Sequence, residues 1–388
     1  MTNQKTRVVV IGGGYAGTLA ANHLELRDDV DVTLVNPRPE FVERIRLHQL
    51  AAGTRGATVG FDELLHDRVS LLVDSVDRID APNRTLELAS RRELPYDYLV
   101  YAVGSTGDAS PDVPGAGEFA HAVAELEYAQ RLHAALEAVE PEAPIVVVGG
   151  GLTGVELASE LAEQGRNVTL ACGGELAPYL SSPGRRSMHA WFRRQGVDVL
   201  PDRVIEVRED SVVLHGGAVL PSAVTIWTAG FGVPNLADRS GLRTDELGRL
   251  LTDETLTSLD DDRVVAAGDA AAPSGEPLRM SCQAAGPLGV QAANTVLSRI
   301  AGNVPEPLDQ RFVGACISLG RRGGIFQVAR KDDRAVNLYV AGRPVAALKE
   351  AICNAVMSAI TKEAKKPGSY FWLKAGTRNV HEKALAGS

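Results

Sequence analysis

Short apolar runs recur along this chain, and several end in glycine. Val8-Val9-Val10-Ile11 leads into Gly12-Gly13-Gly14-Tyr15-Ala16-Gly17, and Ile145-Val146-Val147-Val148 leads into Gly149-Gly150-Gly151-Leu152-Thr153-Gly154. An apolar run without alternation reads as a strand buried on both faces, as in parallel sheets. After each glycine turn the spacing becomes helical. Thr18 to Leu26 carries Ala20, Ala21 and Leu24 on one face, and Val155 to Gln164 is stopped by Gly165. Further strands are predicted at 30–35, at 69–80 and 85–89 around the turn Ala81-Pro82-Asn83, and at 99–103, 167–171, 224–229 and 264–267. Toward the C-terminus the pattern gives a helix from Gln283 to Ile300, strands at 312–318, 325–328 and 335–340, and a helix from Val345 to Lys366 stopped by Pro367-Gly368.

This alternation predicts an α/β protein with two Rossmann-like dinucleotide-binding domains and a C-terminal α+β domain. The expected boundaries are 1–110 for the first part of one dinucleotide-binding domain, 111–245 for the other, 246–305 for the second part of the first, and 306–388 for the C-terminal domain. The Pro, Gly and Asp content of 108–117 marks a crossover between the first two.

A strand, a glycine turn and a helix in this order suit a bound pyrophosphate. The first glycine allows the sharp turn and the second the close approach of backbone N–H groups. The third lets helix and strand pack. One such turn is a weak signal. Two copies, each in context, predict two dinucleotides held by one chain.

Composition narrows the classes. With 388 residues and 45% hydrophobic content the chain is long enough for several cores. A net charge of −9 argues against nucleic acid as a partner. Cys172, Cys282, Cys316 and Cys353 are scattered, so neither a disulfide framework nor a metal site is expected, and a reducing, cytoplasmic setting is. No signal peptide and no membrane span is predicted. From Pro344 onward there are seven Lys or Arg against three Glu, a net of +4 on an acidic chain.

These residues together resemble the pyridine nucleotide-disulfide oxidoreductase superfamily, and within it the type II NADH dehydrogenases and apoptosis-inducing-factor-like flavoproteins. The resemblance spans nearly the whole chain. It implies noncovalent FAD on the first fingerprint, which makes the first domain FAD-binding, and NAD(P)H as co-substrate on the second, which makes the other domain NAD(P)H-binding. The implied FAD residues are Gly12, Gly14, Tyr15, Ala16, Gly17, Asn36, Arg44, Val76, Ala102, Gly104, Gly268, Asp269, Gln283 and Ala284. The implied NAD(P)H residues are Gly149, Gly151, Leu152, Thr153, Gly154, Glu156, Cys172 and Gly230. Asp269 is expected to accept from the ribityl chain and also to cap a helix before Ala270. The stretch Gly-Leu-Thr-Gly-Val-Glu-Leu-Ala-Ser-Glu-Leu is similar to a family motif that sets Glu156 beside the nicotinamide. There, an apolar surrounding would raise its pKa and let it relay a proton. His48 and Gln283 complete the expected catalytic set.

The sequence also departs from the family. Asn36 and Cys172 stand at the strand ends where an acid usually binds ribose hydroxyls, which leaves NADH against NADPH open; Arg185-Arg186 lie downstream, within possible reach of a 2′-phosphate. No cysteine lies between Phe41 and Gly53, so thiol-disulfide exchange with the flavin is not expected. Arg46 and His48 replace apolar family residues, and Pro287 replaces the second Gln of a quinone-site motif.

The function implied is hydride transfer from NAD(P)H through flavin to a quinone or other small acceptor, without a redox-active disulfide. The alternatives are a ferredoxin-type reductase and a slow, redox-responsive NAD(P)H-binding flavoprotein. The tail helix, with Val345, Leu348, Ile352, Val356 and Ile360 as its stripe and Lys349, Lys362, Lys365 and Lys366 beside it, is expected either to lie on the inner face of the membrane or to cover the C-terminal sheet or a homodimer interface.

Overall fold

The computed structural model describes residues 5–107 and 112–376. Part of the crossover, Asp108–Pro111, and the tail charges Arg378, Glu382 and Lys383 lie outside the described residues.

Two five-stranded parallel sheets carry the chain. The first runs Val264–Ala266, Tyr98–Tyr101, Thr6–Ile11, Val30–Asn36, Ser70–Val73. The second runs Ala120–Ala122, Val224–Trp227, Pro144–Val148, Asn167–Ala171, Asp198–Leu200. In each, the strand that feeds the glycine turn is central. Val8, Val10, Val146 and Val147 are at most 1% exposed, because both faces of each parallel sheet are covered, one by helices and the other by a small antiparallel sheet. Each unit also carries a small antiparallel sheet, Val76–Asp80 with Thr85–Leu88 and Glu93–Pro95 in one, Val204–Val207 with Ser211–Leu214 and Val219–Pro221 in the other.

The helices after the two turns are Tyr15–Leu24 and Leu152–Glu163. Both begin about three residues earlier than their apolar faces predict, since the last glycine turn flows straight into the first helical turn. Helices Leu126–Glu137 and Ser182–Arg194 were not assigned from periodicity.

The C-terminal sheet is antiparallel, Gly314–Leu319, Gly323–Ala329 and Ala335–Ala341, and the helix Arg343–Lys365 packs across it and against Tyr15–Leu24. That helix corrects the expected stripe. Its buried side chains are Val345, Cys353, Ile360, Glu363 and Ala364, whereas Leu348 is 42% exposed. The true inward face is turned by about one residue, and it carries Lys349. The apolar stripe therefore serves the core. Among the described residues, no helix is long and apolar enough to cross a membrane.

A buried carboxylate fastens this helix to the first domain. Glu363 accepts from His23 Nδ1 (2.6 Å), Gly368 N (2.7 Å), Ser369 Oγ (3.2 Å) and Tyr370 N (2.6 Å), and His23 Nε2 meets Asn294 Oδ1 at 2.9 Å. Beyond it the strap 369–376 folds back, with Trp372 Nε1 on Asp309 O and the amides of Ala375 and Gly376 on Asp309 Oδ1.

Burial alone would raise the Glu363 pKa, but His23 and the two backbone donors outweigh it and hold it low. A depressed folded value means this stability is complete above the ordinary carboxylate range and lost as pH falls through the folded value. Urea unfolding should therefore show a midpoint that drops below about pH 4 in the wild type. Glu363→Ala should lose about 3–5 kcal/mol at pH 7, because His23 and two amides are left unpaired. A Glu363→Ala midpoint equal to that of the wild type at pH 7 would show the clasp to be idle.

Candidate active site

The two glycine turns share one geometry. Gly12 and Gly149 adopt φ of +98° and +120°. A Cβ on Gly17 would sit 1.8 Å from Gly12 O, and one on Gly154 would sit 2.1 Å from Gly149 O. These two are packing glycines, not cavity residues. Gly14 and Gly151 have nothing within 4 Å of a built Cβ. Both helices start without a side-chain cap. Bare N–H groups at an open helix start form a cradle for a pyrophosphate, so the residues present fit a dinucleotide at both turns.

A cavity of about 400 Å³ opens from the first turn. Gly12, Gly14, Tyr15, Ala16, Asn36, Arg44, Val76, Ala102, Gly104, Gly268 and Asp269 line it. Asp269 accepts from Ser105 Oγ at 2.7 Å, and Arg44 donates to Ser105 O. Asp269 lies inside the short 3₁₀ turn Gly268–Ala270, with Ala267 at the cap position, so the expected capping role fails. Asn36 pins the turn: its Oδ1 accepts from Gly13 N (2.9 Å), and its Nδ2 donates to Arg38 O (2.7 Å). Its amide is thus engaged with the backbone and does not stand free at the strand end.

Gln283 and Ala284 are placed elsewhere. Ala284 is 2% exposed and points into the core, and Ala285 lines the cavity in its stead. The Gln283 amide ties the start of helix Cys282–Ile300 to Gly314 O (3.0 Å) and Val313 N (3.2 Å). It belongs to the seam between helix and sheet. The helix is capped by Ser281, which accepts from Ala284 N.

At the second turn, Thr153 and Gly230 line a small cleft with Trp227 and Thr228, while Gly149 and Leu152 shape the turn itself. Cys172 is half-buried behind Gly150, and burial pushes its thiol up to about 11, so it is neutral. Arg185 already pairs with Glu175 at 2.8 Å.

Between the units lies a cluster of buried charge. Glu156 Oε1 meets Lys349 Nζ at 3.0 Å and accepts from Ser318 N (2.9 Å) and Ser318 Oγ (3.1 Å). Lys349 also donates to Cys316 O at 3.1 Å. His48 Nδ1 is 3.9 Å from Glu156 Oε2, and its Nε2 is buried without a partner.

The Glu156 pKa runs opposite to expectation. Burial pushes it up, but Lys349, His48 and the Ser318 amide hold it below the ordinary value. Lys349 is correspondingly raised, since the Glu156 charge outweighs burial. The pair is ionised at neutral pH. His48 is lowered to about 4, chiefly by burial, and is a neutral imidazole at pH 7.

Sequence reasoning took Lys349 for a surface charge and missed it. The signal was present: Lys349 is four residues from both Val345 and Cys353, on the buried face. Arg46, fully buried, is bound by Glu43 (2.9 Å) and by Glu350 (2.9 and 3.1 Å) of the tail helix, so it braces that helix and does not reach the cavity.

The family described as pyridine nucleotide-disulphide oxidoreductase matches residues 6–289. An NADH dehydrogenase-like protein of Mycobacterium tuberculosis is 30% identical over 353 residues, covering 83% of this chain and 87% of the relative. A type II NADH:quinone oxidoreductase of Staphylococcus haemolyticus is 24% identical, covering 91% of this chain and 95% of the relative. Among solved structures, the sulfide:quinone oxidoreductase of Aquifex aeolicus superposes with a TM-score of 0.80 at 19% identity, covering 94% of this chain and 93% of that one.

Coenzyme choice should be weak with a neutral thiol at the strand end. Cys172→Glu should lower kcat/KM for NADPH relative to NADH about tenfold, because a carboxylate repels a 2′-phosphate and binds ribose hydroxyls. Steady-state rates with the two coenzymes in parallel would check this, and an unchanged ratio would remove Cys172 from the coenzyme site.

Proposed function

The chain belongs to the pyridine nucleotide-disulphide oxidoreductase family, and from that premise we propose that it is an FAD-dependent NAD(P)H dehydrogenase that reduces a quinone or similar small acceptor. The observation that carries this reading is the two bare glycine turns, with the buried Glu156–Lys349 pair joining the helix of the second turn to the last helix. Names of the relatives support the quinone as acceptor class.

In this reading Gly12, Gly13, Gly14, Arg44 and Asp269 hold FAD at the first turn, and Gly149, Gly151, Thr153 and Gly230 hold NAD(P)H at the second. Bound flavin supplies the two-electron chemistry, taking a hydride from NAD(P)H and passing the electrons on. The chain supplies position and charge. Lys349 places a fixed cation where negative charge gathers during reduction, and it needs no reorganisation because Glu156 and Cys316 O already hold it. Ser318 fixes Glu156 in turn. Neutral His48 adds a polar edge without a second positive charge. Among the described residues all four cysteines are free. Burial pushes the thiols of Cys316 and Cys353 up to about 11, so no thiolate stands ready for disulfide exchange.

The proposal includes peripheral contact with an anionic membrane. The surface available for it is the exposed end of the tail, with Lys362, Lys365, Lys366, Phe371 (81% exposed) and Leu373. Co-sedimentation with anionic liposomes that is salt-sensitive and weakened by Phe371→Ser would support it, and none at low salt would defeat it.

The main test is rapid kinetics on the purified protein with NADH, a short-chain quinone and ferricyanide. Acid precipitation should release FAD to the supernatant. Lys349→Met should keep FAD and lose roughly a hundredfold in the quinone rate. A variant as fast as the wild type would take Lys349 out of the chemistry, and a protein that neither holds FAD nor oxidises NAD(P)H would defeat the reading.

A further inference from the structure

The helix Leu152–Glu163 presents Glu156, Glu160 and Glu163 one turn apart along a single stripe, leading from the buried pair toward the surface. Glu160 is 1% exposed. Its Oε2 accepts from Thr54 Oγ1 at 3.3 Å, and its Oε1 has no hydrogen-bond partner. Arg321 Nη1 lies 3.9 Å from Oε1, and the Arg321 side chain is 41% exposed. A second buried atom beside the stripe, His48 Nε2, is also without a partner.

The turn that brings Arg321 here is built for close approach. Gly320 has φ of +67°, and a Cβ on it would strike Glu163 Cδ at 2.2 Å. Glu163 accepts from the backbone N–H groups of Arg321 (2.7 Å) and Arg322 (3.1 Å), which holds the rim in place. Glu163 is thereby spent on structure. Glu160 Oε1 faces Arg321 of the rim at 3.9 Å without a hydrogen bond.

We propose that Glu160 is the proton station that connects solvent, at the Arg321–Thr54 rim, with the buried Glu156–Lys349 pair. The inference rests on the function proposed above. Reduction of a quinone consumes NAD(P)H, one further proton and the quinone, and yields NAD(P)+ and the quinol. Hydride supplies two electrons and one hydrogen. The second hydrogen comes from water as a proton. An O–H bond of hydronium at the rim breaks, and one forms on Glu160. Lys349 gives up an N–H proton to the acceptor oxygen, Glu160 passes its proton one helical turn to Glu156, and Glu156 hands it to the Lys349 amine, which restores the ion pair. Residues four apart on a helix are neighbours, about 5–6 Å between Cβ atoms, a gap that one bridging water spans.

The groups around Glu160 fit a station that loads near neutrality. Burial pushes it up, Arg321 and the Thr54 hydroxyl hold it back, Glu163 and Glu156 add to the rise, and the balance stands at about 7. His48, lowered to about 4, is a neutral imidazole at pH 7 with no excess proton to hand on, and is not an equal candidate. Glu160 is protonated below about pH 7 and empties above it. Proton-coupled reoxidation should then slow as pH rises through that value.

The test compares a short-chain quinone, which needs the proton, with ferricyanide, which takes electrons alone, from pH 5.5 to 9 in the FAD-loaded, full-length protein. In the wild type the quinone-to-ferricyanide rate ratio should fall as pH passes about 7. Glu160→Gln should lower the ratio about tenfold at pH 6 and flatten the profile. Glu160→Asp should restore part of the slope. Thr54→Val, which removes a bond favouring the charged form, should move the fall to higher pH and serves if Glu160→Gln does not fold. A Glu160→Gln protein with the wild-type ratio and slope, or a Thr54→Val profile that does not move, overturns the station alone. A wild type that reduces neither acceptor overturns the function and the station together.

Discussion

One ion pair sets the terms for the middle of this molecule. Glu156 and Lys349 are both withdrawn from water, and neither charge is tolerable there without the other. Their attraction joins the helix of the second dinucleotide unit to the last helix of the chain, while Ser318 and Cys316 O bring in the C-terminal sheet. Arg46 repeats the arrangement nearby, linking the first unit to Glu350 of the same last helix. Three regions distant in sequence are thus held by charge at the place where chemistry is expected, and apolar packing crosses the same seam: Leu47 and Ala51 of the first unit and Ile317 and Ile325 of the C-terminal sheet share one core with the second.

This arrangement separates two kinds of demand on the sequence. The glycine turns are local: φ at Gly12 and Gly149, and the lack of room at Gly17 and Gly154, follow from a dozen consecutive residues. The strands feeding them were equally legible, because burial on both faces leaves an uninterrupted apolar run. Asn167–Ala171 and Val224–Trp227 lie where the pattern puts them.

The site itself was legible only in part. Glu156 could be located from its turn, but not its charge state, because the cation that sets it arrives from the far end of the chain. Lys349 looked like a flanking charge since the stripe through Leu348, Ile352 and Val356 is as apolar as the real one. A rotation of about one residue, invisible in hydrophobicity alone, moved lysine from solvent to site. Gln283 and Ala284 stand off the cavity lining for the opposite reason. A motif match placed them at the cavity, while the register of helix Cys282–Ile300 turned Ala285 there instead.

The order in which the chain leaves the ribosome gives the buried pair a further meaning. Both nucleotide-binding units are complete well before Lys349 is made. During that interval Glu156 has its Ser318 partner at best, and its natural refuge is water. The last long helix therefore docks onto a carboxylate that is still hydrated, and the Lys349 ammonium takes the place of that water as the fold closes.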